Sequence, residues 1–164
     1  PKSLEAKMLD LSEIVHTILA LTKHQMELAN ICCKTNLPAG PFTAWGDYAK
    51  IQQCLLNLIL NAIDAMPEGG TITISGEKND PSDFVWLEVS DTGHGIEPKD
   101  LQRVFEPFYS TKTDGKGVGL GLAMVHGIIR EHGGMVEVDS EPGRGSTFII
   151  KLPRKPLKDS EHHS

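Results

Sequence analysis

The sequence lacks any apolar run of the roughly 18 residues that a membrane-spanning helix needs. It also does not open on the charged and apolar segments of a secretory signal peptide. We therefore expect a soluble chain with no membrane segment and a cytoplasmic location, whether or not a longer parent protein carries a membrane anchor.

An excess of positive charge is also missing. Lys and Arg total 16 against 22 Asp and Glu, which gives a formal net charge of −6 at pH 7. Surfaces that bind nucleic acid normally show clustered positive charge. We expect no nucleic-acid partner, and any anion-binding site must be a local feature of the fold.

Cysteine is scarce, and its three positions are Cys32, Cys33 and Cys54. Two of the three are adjacent, and none forms a Cys-x-x-Cys pair or a zinc-type spacing with histidine. This pattern favours reduced, structural thiols, which are typical of cytosolic proteins, over a metal or redox role.

The chain does have the composition of one folded domain. It has 164 residues, of which 39% are hydrophobic, and it shows no internal repeat. We expect a single domain over 1–153. The polar segment 154–164 is expected to be a disordered tail or an expression remnant.

Hydrophobic periodicity predicts two long helices in the first half of the chain. The first is expected over 11–31 with Ser12 as its N-cap, and its apolar residues are Ile14, Ile18, Leu21 and Leu28. The second follows the capping residue Asp47 and ends at Pro67.

The remaining pattern is mostly that of strands. Extended segments are expected around 8–9 and at 71–78, 84–91, 135–140 and 145–153, with short strands and turns in 36–47 and a short helix near 100–104. Strands and helices follow one another without regular alternation. This order predicts an α+β fold, a two-layer α/β sandwich with a mixed sheet of about five main strands and three main helices on one face.

The third main helix follows the glycine-rich stretch "GKGVGLGL" at 115–122. A dinucleotide fingerprint needs a strand before it, and "EPFYSTKTD" is no strand. A Walker loop needs a hydroxyl after its lysine, but Gly117 stands there. Apolar residues at helical spacing follow instead: Val118, Leu122, Val125, Ile128 and Ile129. The glycines therefore lead into a helix N-terminus, which favours an anion.

The second helix carries a polar stripe, which we define as Gln53, Asn57, Asn61 and Asp64. At about 100° per residue these four side chains fall within roughly 80°. The opposite side is apolar and consists of Ile51, Leu55, Leu58, Ile59, Ala62 and Met66. The stripe fits a solvated helix face. It also fits a site for a hard cation, because asparagine supplies carbonyl oxygens and is a poor helix former.

The stretch "SDTGHGI" places Asp91 at the end of an apolar strand, followed by Gly93 and Gly95. Asp91 could simply cap a turn. Alternatively, it accepts a hydrogen bond from the amino group of adenine, and the glycines let a flat ring approach the backbone. A buried acceptor of this kind selects adenine over guanine, which offers a carbonyl instead.

Five motifs occur in order: the Asn57 and Asn61 helix, Asp91-x-Gly93-x-Gly95, "FEPFYSTK", "GKGVGLGL" and "GRGSTF". This order resembles the ATP-binding catalytic domain of sensor histidine kinases, in the superfamily that includes the gyrase, Hsp90 and MutL ATPase domains. The resemblance extends from about Leu9 to Pro153 and implies the Bergerat ATP-binding fold. "FEPFYSTK" is similar to the nitrogen-regulation type of histidine kinase.

The resemblance implies a role for each matching residue. Asn61 is expected to bind Mg²⁺ as its metal ligand, and Asn57 to help place the metal and the phosphates of ATP. Asp91 binds the adenine amino group, and Thr147 supports that pocket through its hydroxyl. The other residues expected to contact the nucleotide are Asp64, Gly93, Gly95, Ile96, Val118, Leu120 and Leu122.

The resemblance also implies an ATP lid. Phe105 and Phe108 are expected to anchor it, and Lys112 and Lys116 are its available cations, with Lys112 in a catalytic role. Gly117, Gly119 and Gly121 let the lid close. We expect segment 109–117 to be the most mobile internal part of the chain.

Asn57 separates the subfamilies, because gyrase-type ATPases carry a glutamate there as the general base for water. An amide cannot accept that proton, so transfer to a protein nucleophile is favoured over hydrolysis. In histidine kinases the acceptor is a histidine in a helix before this domain, and none of the seven histidines here has that context. We expect a protein histidine kinase catalytic domain that does not phosphorylate itself alone.

The expected partners are a dimerisation and phosphoacceptor domain of the same full-length protein and a downstream response regulator. Three alternatives stay open from the sequence alone. They are a gyrase- or Hsp90-like ATPase, a protein serine kinase of the same superfamily, and a catalytically silent nucleotide-binding module.

Overall fold

The computed structural model describes residues 4–107, Tyr109 and 121–156. Its helices are α1 (Leu11–Leu28), α2 (Tyr48–Asp64) and α3 (Gly121–Glu131), and a single 3-10 helix covers Pro98–Asp100. Its strands are β1 (Ala6–Asp10), β2 (Ile31–Asn36), β3 (Thr43–Asp47), β4 (Gly70–Glu77), β5 (Phe84–Asp91), β6 (Met135–Glu141) and β7 (Gly145–Pro153).

The main sheet has five strands in the order β2-β4-β5-β7-β6. β2 and β4 are parallel, and the other neighbours are antiparallel. β1 and β3 form a separate two-stranded antiparallel sheet. The α+β fold with a mixed five-stranded sheet and three helices is therefore confirmed.

The core lies between the helices and one face of the sheet. Along β5, Val85, Leu87 and Val89 are buried, and the residues between them are half-buried. This alternation is typical of a sheet with one covered face. The apolar side of α2 packs against it, and Leu55 and Ile59 are fully buried.

The N-cap prediction for α2 is confirmed, but the one for α1 is wrong. The Asp47 carboxylate accepts a hydrogen bond from the Lys50 backbone N–H at 3.2 Å. At α1, Asp10 rather than Ser12 is the cap, and it accepts from the Glu13 N–H at 3.1 Å. Asp10 has the extended backbone of a cap residue, which places Ser12 inside the first turn.

The predicted apolar stripe of α1 is only half right. Ile14 and Ile18 are buried, but Leu21 is 67% and Leu28 is 72% exposed. Thr22 is buried instead. Its hydroxyl can be buried without water because it donates a hydrogen bond to the Ile18 carbonyl at 2.9 Å.

Two short elements differ from the sequence expectation. The chain leaves α1 at Leu28 and enters β2 at Ile31, within the segment that was expected to be helical. Asn30, at φ 59°, makes the reversal. At 100–104 the expected short helix is wrong, since a 3-10 helix ends at Asp100 and hydrogen-bonded turns follow.

The C-terminal end of β7 is tied to the β4–β5 connection. The Arg154 N–H donates to the Asp83 carbonyl at 2.9 Å, and its guanidinium donates to the Lys78 carbonyl. Arg154 therefore packs with the folded part, and 157–164 lie outside the described residues. Within 4–107, 109 and 121–156, no helix combines the length and apolar character needed to cross a bilayer.

Candidate functional site

The polar stripe of α2 faces away from the core, as the sequence predicts. All six residues of the apolar side are buried. Asn57 and Asn61 are half-buried, and Gln53 and Asp64 are exposed. The two asparagines therefore lie at the edge of the packed region and not on a fully solvated face.

Asn57 contacts the beginning of α3. Its side-chain amide donates to the Met124 Sδ at 3.9 Å, and a Cβ added to Gly121 would lie 3.9 Å from the Asn57 Cγ. The first N–H groups of a helix have no partner within the helix, and they favour an anion. A polar amide and a helix start therefore share one location.

Asp91 is buried at the end of β5, with 5% of its surface exposed. Its Oδ1 accepts from the Gly93 N–H at 2.8 Å and from the Ser146 N–H at 3.3 Å. Burial raises the pKa of Asp91 above its ordinary value, and these two hydrogen bonds and the His94 side chain offset only part of that rise. Asp91 therefore caps the turn through Oδ1 and is also a buried acceptor, so the two interpretations of this residue are compatible.

The loop after Asp91 is built tightly against two neighbours. A Cβ on Gly93 would come within 2.2 Å of the Ala65 carbonyl oxygen, just beyond α2. Gly95 has φ 75°, and a Cβ there would come within 2.1 Å of the Glu141 carbonyl oxygen. Glycine is required at both positions, because larger residues would displace the loop.

Thr147 does not reach Asp91. Its hydroxyl lies 2.8 Å from the Ser90 hydroxyl, and the two residues are paired across β7 and β5. Because side chains alternate along a strand, Thr147 and its buried neighbour Ser146 point to opposite faces. The support predicted for Thr147 stays a prediction. Ser146 contacts Asp91 through its backbone N–H, and its hydroxyl lies against the Ser140 hydroxyl.

Sequence reasoning also missed Ser140. Its hydroxyl accepts from the Ile96 N–H at 2.8 Å, donates to the Gly145 carbonyl at 3.0 Å and lies 2.8 Å from the Ser146 hydroxyl. Ser140 therefore joins the loop to the β6–β7 hairpin. The sequence signal that could have revealed it is a serine on each side of the predicted "EPGRG" turn, Ser140 before it and Ser146 after it.

Phe105 ties the segment after the 3-10 helix to α3 and the sheet. Its ring stacks on His126 with centroids 5.3 Å apart and meets Phe148 edge-on at 6.2 Å. Ile96 and Leu122 are half-buried and pack against the core. The anchoring role of Phe105 stays a prediction that this contact supports.

Several predicted site residues lie outside the described residues. They are Phe108, Lys112, Lys116, Gly117, Val118, Gly119 and Leu120. The predicted mobility of 109–117 also falls outside the described residues, except for Tyr109. In the described ranges, no group of three or more His, Cys, Asp or Glu side chains could hold a metal. Amide oxygens are also hard ligands, and the metal-binding role predicted for Asn61 stays a prediction.

The two-layer fold thus carries a buried carboxylate in a glycine loop at the end of β5, and an asparagine of α2 that lies against the start of α3. A family model described as "Histidine kinase-, DNA gyrase B-, and HSP90-like ATPase" matches residues 46–156. The chain belongs to this family of ATPases.

Within this family the proteins similar to this chain include histidine kinases. Sporulation kinase A of Bacillus subtilis is 38% identical over 147 residues, which are 90% of this chain and 24% of that protein. The catalytic domain of histidine kinase ThkA, solved without nucleotide, has a TM-score of 0.82 at 31% identity and covers 93% of this chain and 99% of its own. The resemblance to a histidine kinase catalytic domain is confirmed.

Two further observations bear on ligands and partners. Full-length ShkA, solved in complex with AMPPNP, has a TM-score of 0.84 at 26% identity over 96% of this chain and 33% of its own. ThkA has also been solved in complex with the response regulator TrrA. This chain spans between 13% and 36% of the length of three curated relatives that it matches.

Proposed function

We propose that this chain binds Mg-ATP and transfers the γ-phosphoryl group to a histidine. That histidine belongs to a dimerisation and phosphoacceptor domain of the same full-length protein. The phosphohistidine then passes its phosphoryl group to a response regulator in two-component signalling. Asp91 carries this proposal, because its buried carboxylate sits in a glycine loop held by backbone hydrogen bonds.

The Asp91 end of the site is suited to adenine. Both hydrogen bonds of the carboxylate with described residues end on Oδ1. Oδ2 is thus available to accept from an exocyclic amine. Guanine would present a carbonyl oxygen to the same atom and leave the buried carboxylate opposed by a second acceptor. The resulting preference for adenine is consistent with the AMPPNP complex of the similar kinase ShkA.

The α2 and α3 end is suited to phosphates and a magnesium ion. Amide oxygens of Asn61 and Asn57 are hard ligands, and Mg²⁺ is usually held by one or two protein groups together with phosphate oxygens and water. When bound, the ion would neutralise charge on the phosphates. The start of α3 beside Asn57 would receive the negative charge.

Transfer is favoured over hydrolysis by the absence of a base in the polar stripe near Asn57. The only carboxylate of the stripe is Asp64, seven residues further along α2, which is about 10 Å in a helix. In the transfer, a histidine ring nitrogen would form a bond to the γ-phosphorus, the bond to the bridging oxygen would break, and ADP would leave. The chain's own residues bind and orient the nucleotide for this step.

The test is transfer of label from γ-³²P-ATP to a separately supplied phosphoacceptor domain of a similar kinase. We expect an acid-labile, base-stable product with the wild-type chain and none with Asp91→Asn, whereas Asp139→Asn, an exposed carboxylate on β6, should behave as wild type. An acid-stable product would indicate a serine kinase. Steady phosphate release without transfer would indicate a gyrase-like ATPase, and binding without either would indicate a silent module.

The remaining expectations join this proposal. We place the catalytic domain at 1–153 with a tail after it, in the cytoplasm and without a nucleic-acid partner. The response regulator is suggested by the ThkA complex with TrrA. Membership of the nitrogen-regulation type stays a prediction.

A further inference from the structure

His132 is the only buried histidine in the described part of the chain, with 4% of its surface exposed. It directly follows α3. Its Nδ1 lies 2.8 Å from the Ile128 carbonyl oxygen, and its Nε2 lies 3.0 Å from the Asp47 backbone nitrogen. A carbonyl only accepts and a backbone N–H only donates, so the proton is on Nδ1 and the lone pair is on Nε2.

The two hydrogen bonds connect different parts of the fold. The bond to Ile128 is local, and it adds to the hydrogen bond that the His132 backbone N–H donates to the same carbonyl at 3.2 Å. The bond from Asp47 reaches the residue that caps α2, 85 positions earlier in the chain. A salt bridge at 3.2 Å between Lys50 and Glu131 joins the same two helix ends at the surface.

The ring also packs directly on the backbone of β3. A Cβ on Gly46 would lie 2.8 Å from the His132 Cδ2, which is too close for a real contact. Gly46 therefore provides the space for the ring. The imidazole is held by its two nitrogens and by the contact of its Cδ2–Nε2 edge with Gly46, so it has one well-defined position.

This position matters at the other end of α3. The two helices run antiparallel, since the end of α3 meets the start of α2, while Gly121 and Met124 lie against Asn57. An 11-residue helix is about 16 Å long and moves as a rod. Fixing its last residues against α2 therefore also fixes its first turn beside the asparagines.

We propose that His132 is a positioning residue of the nucleotide site, which holds α3 so that its first turn faces the phosphates bound near Asn57 and Asn61. This inference rests on the proposed function, because it assigns the phosphates to that location. His132 itself contacts no phosphate, and it acts through the placement of α3.

Three variants separate this role from simple core packing. His132→Asn keeps a donor near the Ile128 carbonyl but loses the acceptor for the Asp47 N–H. His132→Gln places a carbonyl oxygen close to the position of Nε2 and restores that acceptor. Gly46→Ala keeps residue 132 as histidine, but the new methyl group displaces the imidazole ring. Val85→Ala, in the buried part of β5, is a control that loses stability away from α3.

The measurement compares the affinities of Mg-ATP and adenosine by calorimetry, below the unfolding temperature of every variant. Adenosine reports on the Asp91 end, and Mg-ATP reports on both ends. We expect His132→Asn and Gly46→Ala to bind Mg-ATP about tenfold more weakly with adenosine affinity unchanged, and His132→Gln to recover most of the loss. In ¹⁵N NMR of the wild-type chain, His132 should show a protonated Nδ1.

Equal losses for adenosine and Mg-ATP, or His132→Asn binding like Val85→Ala, would overturn the positioning role. The proposed function fails separately. If the wild-type chain binds Mg-ATP and passes no phosphoryl group to any acceptor, the function is wrong while the His132 comparison still stands. If the wild-type chain binds no nucleotide at all, both are wrong.

Discussion

The two ends of the candidate site differ in the groups that hold them: backbone hydrogen bonds at the Asp91 end and side-chain contacts at the asparagine end. At the Asp91 end, backbone groups fix the loop: the His94 N–H donates to the Ala65 carbonyl at 3.1 Å, and the Gly143 N–H donates to the His94 carbonyl at 2.8 Å. At the asparagine end, side chains that are half-buried meet the start of α3 through a long contact to sulfur. The Asp91 end, where we propose that the base binds, is thus preorganised by the folded chain, and the asparagine end, proposed for the phosphates, leaves more of its geometry to the ligand and the metal.

The largest expected loss of affinity comes from a substitution at the preorganised Asp91 end. Asp91→Asn keeps an oxygen for the Gly93 N–H but loses the charge and offers an amide to the adenine amino group. Hydrogen bonds to charged groups contribute about 1.5 to 3 kcal/mol, so affinity for ADP should fall about 100-fold. Calorimetry with ADP measures it, and Asp139→Asn should bind normally. Wild-type affinity in Asp91→Asn would mean that adenine is held elsewhere.

The same comparison shows which site residues the sequence alone can predict. Asp91, Asn57 and Asn61 were predictable because a strand end and a helix face are local patterns. The contact of the Thr147 hydroxyl was not, because it depends on the register of β7 against β5, which pairs Thr147 with Ser90. A one-residue difference along a strand reverses the face.

The errors in the fold have a similar cause. Leu21 fits the helical period of α1 but is 67% exposed in the described part of the chain. His132 bonds to a residue 85 positions away, so no local pattern reveals it. Burial and long-range hydrogen bonds are set by tertiary packing, and the hydrophobic periodicity of the sequence does not report on that packing.

The second prediction strains the same end without removing a functional group. In Gly93→Ala, the new Cβ meets the Ala65 carbonyl and must push the loop away from α2. Overpacking of this kind costs about 1 to 3 kcal/mol, and ADP and adenosine affinity should both fall about tenfold or more. Urea unfolding and calorimetry measure the two losses. Normal adenosine binding by a destabilised Gly93→Ala would show that the loop does not shape the base pocket.

The third prediction uses pH. The pKa of Asp91 is raised chiefly by burial, so the carboxyl takes up its proton above its ordinary range. Adenine requires the ionised form, and ADP affinity should fall by up to tenfold per pH unit below that pKa. Titration of ADP between about pH 7 and about pH 4 measures it. Asp91→Asn, although weak, should show no such dependence.

The stability of the empty chain should follow the opposite sign. Because the folded pKa of Asp91 is raised, its contribution to the free energy of unfolding is complete below its ordinary pKa and is lost as pH rises through the folded value. Burial would also raise the pKa of Asp47, but the N–H groups of Glu5 and Lys50 lower it, so its contribution is lost as pH falls. Comparing wild type with Asp91→Asn removes the Asp47 effect from the difference.

The fourth prediction addresses the asparagine end. Asn61→Ala should weaken Mg-ATP about tenfold, as expected for the loss of one ligand interaction, and leave adenosine and Mg-free ADP unchanged. Gly93→Ala is expected to weaken adenosine binding, whereas Asn61→Ala is not, so the two variants together distinguish the Asp91 end from the asparagine end. Gln53→Ala, an exposed member of the same stripe, is the control. If Asn61→Ala keeps the full gain in affinity from magnesium, another residue holds the metal.

The smallest expected effect tests whether α3 can change without either end responding. Gly127 lies in α3, is exposed, and a Cβ there meets nothing within 4 Å. Gly127→Ala should therefore raise the free energy of unfolding by about 1 kcal/mol through helix propensity alone. Adenosine and Mg-ATP affinity should both stay within about twofold of wild type. A change in Mg-ATP affinity alone would mean that the internal stiffness of α3, and not only its placement, determines how the phosphate end binds.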